Sequence, residues 1–213
     1  METKVLLSTA YFPPIQYMSK IAVFDQVFIE ASEHYEKQSY RNRCRIIGPN
    51  GIQTLSIPVI RGRSLRQNIR DVRIDFSENW QGDHRRSIET AYASAPFFDF
   101  YWDDIRKFFK KKYTFLFDYN LDILCTLIDV LEMKKQPVLT KSFQSDADMP
   151  DFRESIHPKQ RKNKEDLHFR PQPYTQVFSD RHPFISNLSL LDLLFNEGPL
   201  SQQHLLDTAT SSF

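Results

Sequence analysis

Two β-rich runs, Arg43–Ile47 and Ile52–Val59, flank the tripeptide Pro49-Asn50-Gly51. An Asn-Gly pair supplies the positive φ that a tight turn demands, so the chain is predicted to fold back here as an antiparallel hairpin. Val5–Ser8, Val27–Glu30 and Val72–Phe76 read as further strands, and Val138–Thr140 as a late one. Pro14 suits the first turn of a helix over Ile15–Ala22. Later, Trp80, His84, Ile88 and Ala91 share one helical face, and the Phe98–Phe109 aromatics repeat that spacing after Pro96. Leu121–Leu131 carries two apolar stripes and is predicted to be buried on most sides, and helices return at Leu188–Phe195 and Ser201–Thr208. Strands come first and helices follow, without a βαβα alternation. The expected class is therefore α+β: a mixed sheet of about five or six strands in the N-terminal half, with the hairpin at 43–59, packed by a helical middle and C-terminal region.

The 213 residues suit a single domain spanning 1–213. From about 146 to 182 aliphatic residues are few, Pro150, Pro158, Pro171 and Pro173 recur, and the run His157–Lys164 is basic. A mobile Pro/basic loop is expected there, either a lid or a passive surface excursion. The 18 Phe and 9 Tyr point to an aromatic-rich core or cleft. A net charge of +1 provides no global field for nucleic acid, so no nucleic-acid partner is expected. No apolar run approaches a membrane span, so no membrane insertion is expected. The N-terminal apolar run is too short for a secretion signal, and Cys44 and Cys125 lack any CxxC spacing; both suggest a cytoplasmic protein with free thiols.

Chemistry concentrates in Tyr35–Ile46, where Lys37, Ser39, Arg41, Asn42, Arg43 and Arg45 crowd together without an apolar helical stripe. The planar forks of the arginines suit a carboxylate or phosphate, which makes the stretch a candidate site for an anionic small molecule. The competing structural reading is an edge strand blunted by charge. His84 is the best general acid or base, set against its alternative as a satisfied core histidine. Cys44 between two arginines could be an activated thiolate or simply a small strand residue. The six histidines are scattered without ligand spacing, so no metal is expected. No glycine-rich phosphate motif is present, and nothing in the chain names a cofactor.

Several stretches together resemble the WbqC-like family. They are Tyr11-Phe12-Pro13-Pro14-Ile15-Gln16-Tyr17, Lys37–Arg43 running into the hairpin and Leu55–Val59, Trp80…His84…Tyr92…Pro96-Phe97-Phe98, Tyr174–Phe178, and Phe184–Asn196. The opening departs from the family's usual Gln-Pro-x-Tyr, reading Ser8-Thr9-Ala10-Tyr11, so no role for that Gln carries over. Lys37, Ser39, Arg41, Asn42, Arg43, His84, Gln176, Asn187 and Asp192 match the family pattern. The Ser189-x-x-Asp192 pair also reads as a helix-capping box. The resemblance implies a bacterial surface-polysaccharide context in which amino sugars are made and decorated. The expected function is an enzyme, or a degenerate one, acting on an amino-sugar or acylated precursor of surface glycans, with acyl or aminoacyl transfer onto an amine as the candidate reaction. In it His84 is the base, Lys37, Ser39, Arg41, Asn42, Arg43 and Gln176 bind substrate, and a nucleotide sugar or acyl donor is the anionic partner. The alternative is a noncatalytic assembly protein that docks a partner enzyme.

Overall fold

The computed structural model describes residues 2–60, 62, 66–145, 148–159 and 166–209. Strand β1 (Lys4–Leu7) is followed by helix α1 (Ile15–Val23) and strand β2 (Gln26–Ile29), which lies parallel to β1 with Lys4 opposite Gln26 and Leu7 opposite Ile29. This β–α–β step buries Val5, Leu6 and Leu7 completely. A short β5 (Val138–Leu139) adds to the far side of β2, also parallel. On the near side, Leu6 bonds to Pro150 O and Phe152 N (both 3.0 Å), so the 150–152 segment extends the sheet beyond β1.

Strands β3 (Arg43–Gly48) and β4 (Gly51–Ser56) form the expected hairpin, in register from Arg43–Ser56 to Gly48–Gly51. Positive φ falls on Gly51 (99°), not on Asn50, so the glycine takes the left-handed position just after the turn. The hairpin does not join the parallel strands. Among the described residues there are two sheets, of three and two strands, where one mixed sheet is the expectation from sequence. The hairpin's second strand stops at Ser56, because Pro58 has no N–H for a ladder. Val72–Phe76 is not a strand either: Arg73 and Ile74 make only isolated bridges, to Phe115 and Val59.

Helices α2 (Trp80–Tyr92), α3 (Phe98–Arg106) and α4 (Leu116–Val130) form the middle of the chain. Ile123, Leu124, Leu127 and Ile128 of α4 are all buried, as the double stripe predicts. Helix α5 (Leu190–Glu197) is buried along almost its whole length, and its Phe195 ring packs against Tyr92, Phe98 and Trp102. Helix α6 (Ser201–Thr208) closes the described chain against α1. Of the 146–182 segment, residues 146, 147 and 160–165 lie outside the described residues, and most of the basic run lies there with them. The described flanks are docked: Phe152, Ile156 and His157 are buried, and Asp166 pairs with the fully buried Lys20 at 2.8 Å.

Ser189 caps α5, its hydroxyl accepting from Leu191 N and donating to Phe12 O at 2.9 Å. Asp192 does not complete a capping box. Its carboxylate accepts from Tyr174 Oη (2.5 Å) and Gln176 Nε2 (2.8 Å) instead. Ser189→Ala is expected to cost about 1–2 kcal/mol of stability, measurable by urea unfolding, because it removes the cap and the bond to Phe12 together.

Candidate functional site

A cleft of about 520 Å³ lies between the Tyr35–Asn42 loop, the start of β3, the end of β4 and the first turns of α2. That volume suits a small organic ligand. Lys37, Gln38, Asn42 and Arg43 line one wall; Glu78, Trp80, Asp83 and His84 line the wall made by α2. The strand pleat decides what faces the cleft. Arg43 points to it, while the next residue, Cys44, is fully buried in the core. Burial pushes the Cys44 thiol far above its usual range, so it is held as an inert thiol and the nucleophile reading fails.

The signature cations divide sharply. Arg41 turns inward, away from this cleft, and is bound by the chain's own acids. Its Nε donates to Glu33 Oε1 (2.9 Å) and its Nη2 to Glu33 Oε2 (2.5 Å) and Ser8 Oγ (2.7 Å), with Glu36 a further 3.7 Å contact. Lys37 and Arg43 form no ion pair among the described residues. Arg43 Nε is buried without any hydrogen-bond partner, which leaves the Nε edge of its guanidinium unfilled. A buried donor in that condition costs about 1–3 kcal/mol. Asp83 is engaged by Arg86 at 2.5 Å, so Glu78 is the remaining carboxylate of the cleft.

Helix α2 adds a partial positive charge. Its N-cap, Asn79, makes no side-chain cap bond, and the first helical turn abuts the cleft through Trp80 and Asp83.

His84 is 5 % exposed, with Nδ1 2.9 Å from Tyr11 Oη and the Trp80 ring edge-on at 5.1 Å. Desolvation lowers its pKa to about 4, against weaker opposing pulls from the Ser56 backbone and Asp83, so the ring is neutral at pH 7. Burial also keeps the Tyr11 phenol protonated, and Tyr119 and His84 compete for its proton. When Tyr11 donates to Nδ1, the ring proton sits on Nε2. When Tyr11 donates instead to Tyr119, which donates on to Phe108 O at 3.2 Å, Nδ1–H faces Tyr11. The Ser56 backbone, which raises the His84 pKa as an acceptor carbonyl does, favours the first arrangement. Phe12, next to Tyr11, is held at φ 35°, a strained value for a buried aromatic. Tyr11 N to Tyr40 O (2.8 Å) and the Ser189 hydroxyl on Phe12 O fix that conformation.

The other sequence candidates lie elsewhere. Ser39 is buried and donates to Glu36 O at 2.7 Å, shaping the loop. Gln176 sits in the C-terminal region, bonded to Ile185 and Asp192, and does not line the cleft. Asn187, at φ 55°, pairs with Gln16 through its side-chain amide, Oδ1 accepting from Gln16 N and Nδ2 donating to Gln16 Oε1. Tyr11, Tyr35, Ser56, Glu78 and Trp80 join the site without having been singled out by sequence. Only the Tyr-Phe-Pro-Pro run and the shared helical face of Trp80 and His84 carry a trace of it. Among the described residues no group of three His, Cys, Asp or Glu side chains could hold a metal ion, and no helix is long and apolar enough to cross a membrane.

The stretch that builds this cleft lies inside residues 9–163, which match the model of the WbqC-like protein family. The chain belongs to that family. It is 33 % identical over 99 residues to an uncharacterized protein of Mycobacterium tuberculosis, a match covering 46 % of this chain and 42 % of the relative. No solved structure matches.

Proposed function

We propose that the cleft binds an anionic small molecule and that the protein is a transferase of surface-polysaccharide assembly, moving an acyl or aminoacyl group onto an amino-sugar precursor. The observation that carries the binding half is the convergence of Lys37, the unfilled Nε edge of Arg43 and the uncapped N-terminus of α2 on one cavity. A guanidinium edge and a helix N-terminus both favour oxyanions, so a phosphate or carboxylate of a nucleotide sugar or acyl donor is the matching group. Arg41 and Ser39 support the loop that presents these groups, and Gln176 anchors the C-terminal segment. His84, oriented by Tyr11, takes the proton of the amine as the amine attacks the acyl carbonyl and the donor's leaving group departs.

A thermal-shift screen of wild type, Lys37→Ala and Arg43→Ala against nucleotide sugars, acyl carriers and simple oxyanions tests this. A ligand at about 100 times its Kd adds about 2.7 kcal/mol, roughly 5–10 °C at this chain length. The expected result is such a shift in wild type, reduced in Lys37→Ala and lost in Arg43→Ala. Silence across the panel with all three proteins folded overturns the small-molecule reading in favour of a noncatalytic docking protein.

A further inference from the structure

Resting on the reading of this cleft as an anion site, we infer that its ligand also carries a neutral polar group that both donates and accepts hydrogen bonds, such as paired hydroxyls or an amide, read by Asn42 and Trp80. Among the described residues, three buried polar atoms without hydrogen-bond partners belong to side chains lining this one cleft: Arg43 Nε, Asn42 Oδ1 and Trp80 Nε1. The first calls for the anion. The other two define a different demand.

The Asn42 amide has a fixed orientation. Its Nδ2 donates to Ile57 O at 2.9 Å, and the Asn42 backbone carbonyl accepts from Ile57 N at 2.8 Å. Flipping the amide would set Oδ1 against the Ile57 carbonyl, so Oδ1 is the free atom, and it can only accept. A second oxyanion there would be repelled, whereas an O–H or N–H would be bound. Trp80 Nε1–H can only donate and therefore calls for an acceptor oxygen. Asn42 is 8 % and Trp80 4 % exposed, so leaving either atom unpaired is costly. Each bond a ligand makes to them discriminates against analogues that lack the matching group. Inorganic phosphate or a plain carboxylate fills Arg43 and leaves both other atoms orphaned. A polyhydroxylated or amide-bearing phosphate ester fills all three.

Calorimetric titration with glucose 1-phosphate and cyclohexyl phosphate, rings of similar size with and without hydroxyls, tests the inference in wild type, Asn42→Leu, Trp80→Phe and Arg43→Ala. Wild type is expected to prefer glucose 1-phosphate by about tenfold or more. Trp80→Phe and Asn42→Leu should each cut that preference several-fold while leaving cyclohexyl phosphate affinity unchanged, and Arg43→Ala should weaken both esters together. Trp80→Phe keeps the ring packing and carries the test alone if Asn42→Leu, which strands the Ile57 carbonyl, fails to fold. Equal affinity for the two esters, or a preference that survives Trp80→Phe, overturns the inference and leaves the anion site standing. Binding of neither ester, nor of inorganic phosphate, overturns both.

Discussion

Arg41→Ala is expected to lose about 3–5 kcal/mol of folding stability, roughly 6–20 °C in Tm for a chain of this length, in thermal or denaturant unfolding. The substitution leaves the buried Glu33 carboxylate with the Ser8 hydroxyl and only the weaker pull of Arg153, and strips the loop of its inward anchor. Arg43→Ala, two residues on, should destabilise by no more than about 1 kcal/mol, since it removes a cation with no ion pair among the described residues and relieves an already orphaned Nε. The contrast matters more than either value. It separates a guanidinium whose anion is built into the fold from one whose anion must come from outside. Equal stability losses in the two variants would place both arginines in the scaffold.

Acid should unfold the wild type through His84. Its pKa is about 4 in the folded chain against 6.5 for an ordinary histidine. Between those values the unfolded chain binds the extra proton, so stability rises with pH across the window. The contribution is fully present above about pH 6.5 and is lost as pH falls towards 4. A shift of that size corresponds to about 3 kcal/mol. The groups packed against the ring, Tyr11 and Trp80, are neutral, and the Ser56 backbone and Asp83 pull weakly the other way. His84→Gln should flatten this acid limb in urea unfolding at a series of pH values. Comparing the two curves cancels Asp192, whose carboxyl burial raises and which therefore acts in the opposite direction. A variant that keeps the full acid limb would show that His84 is not held neutral by burial.

The hairpin is legible because an Asn-Gly pair fixes its turn locally, even though Gly51 is the residue that takes the positive φ. The parallel sheet is not. Its strands β1 and β2 are four residues long and β5 is two, joined across a nine-residue helix, so their pairing rests on distant contacts that leave little local pattern. At the site, Arg41 and Arg43 look alike in the sequence. Glu33 distinguishes them, eight residues upstream, and only the fold shows which guanidinium it meets. Gln176 is similar: Asp192, sixteen residues later, takes its amide in the C-terminal region. His84 and Trp80 share a helical face in both readings. Sequence cannot show that this face is core and cleft wall at once, because β4 and the Tyr35–Asn42 loop open a cavity against it.

The most direct test is a nitrogen-15 NMR titration with inorganic phosphate, following the Arg Nε–H and the two Trp indole signals. The cleft as an anion site predicts a saturable shift at Arg43 Nε, with Arg41 and Trp102 unmoved. Shifts spread evenly over the arginines, or none at Arg43 up to high millimolar phosphate, would contradict it.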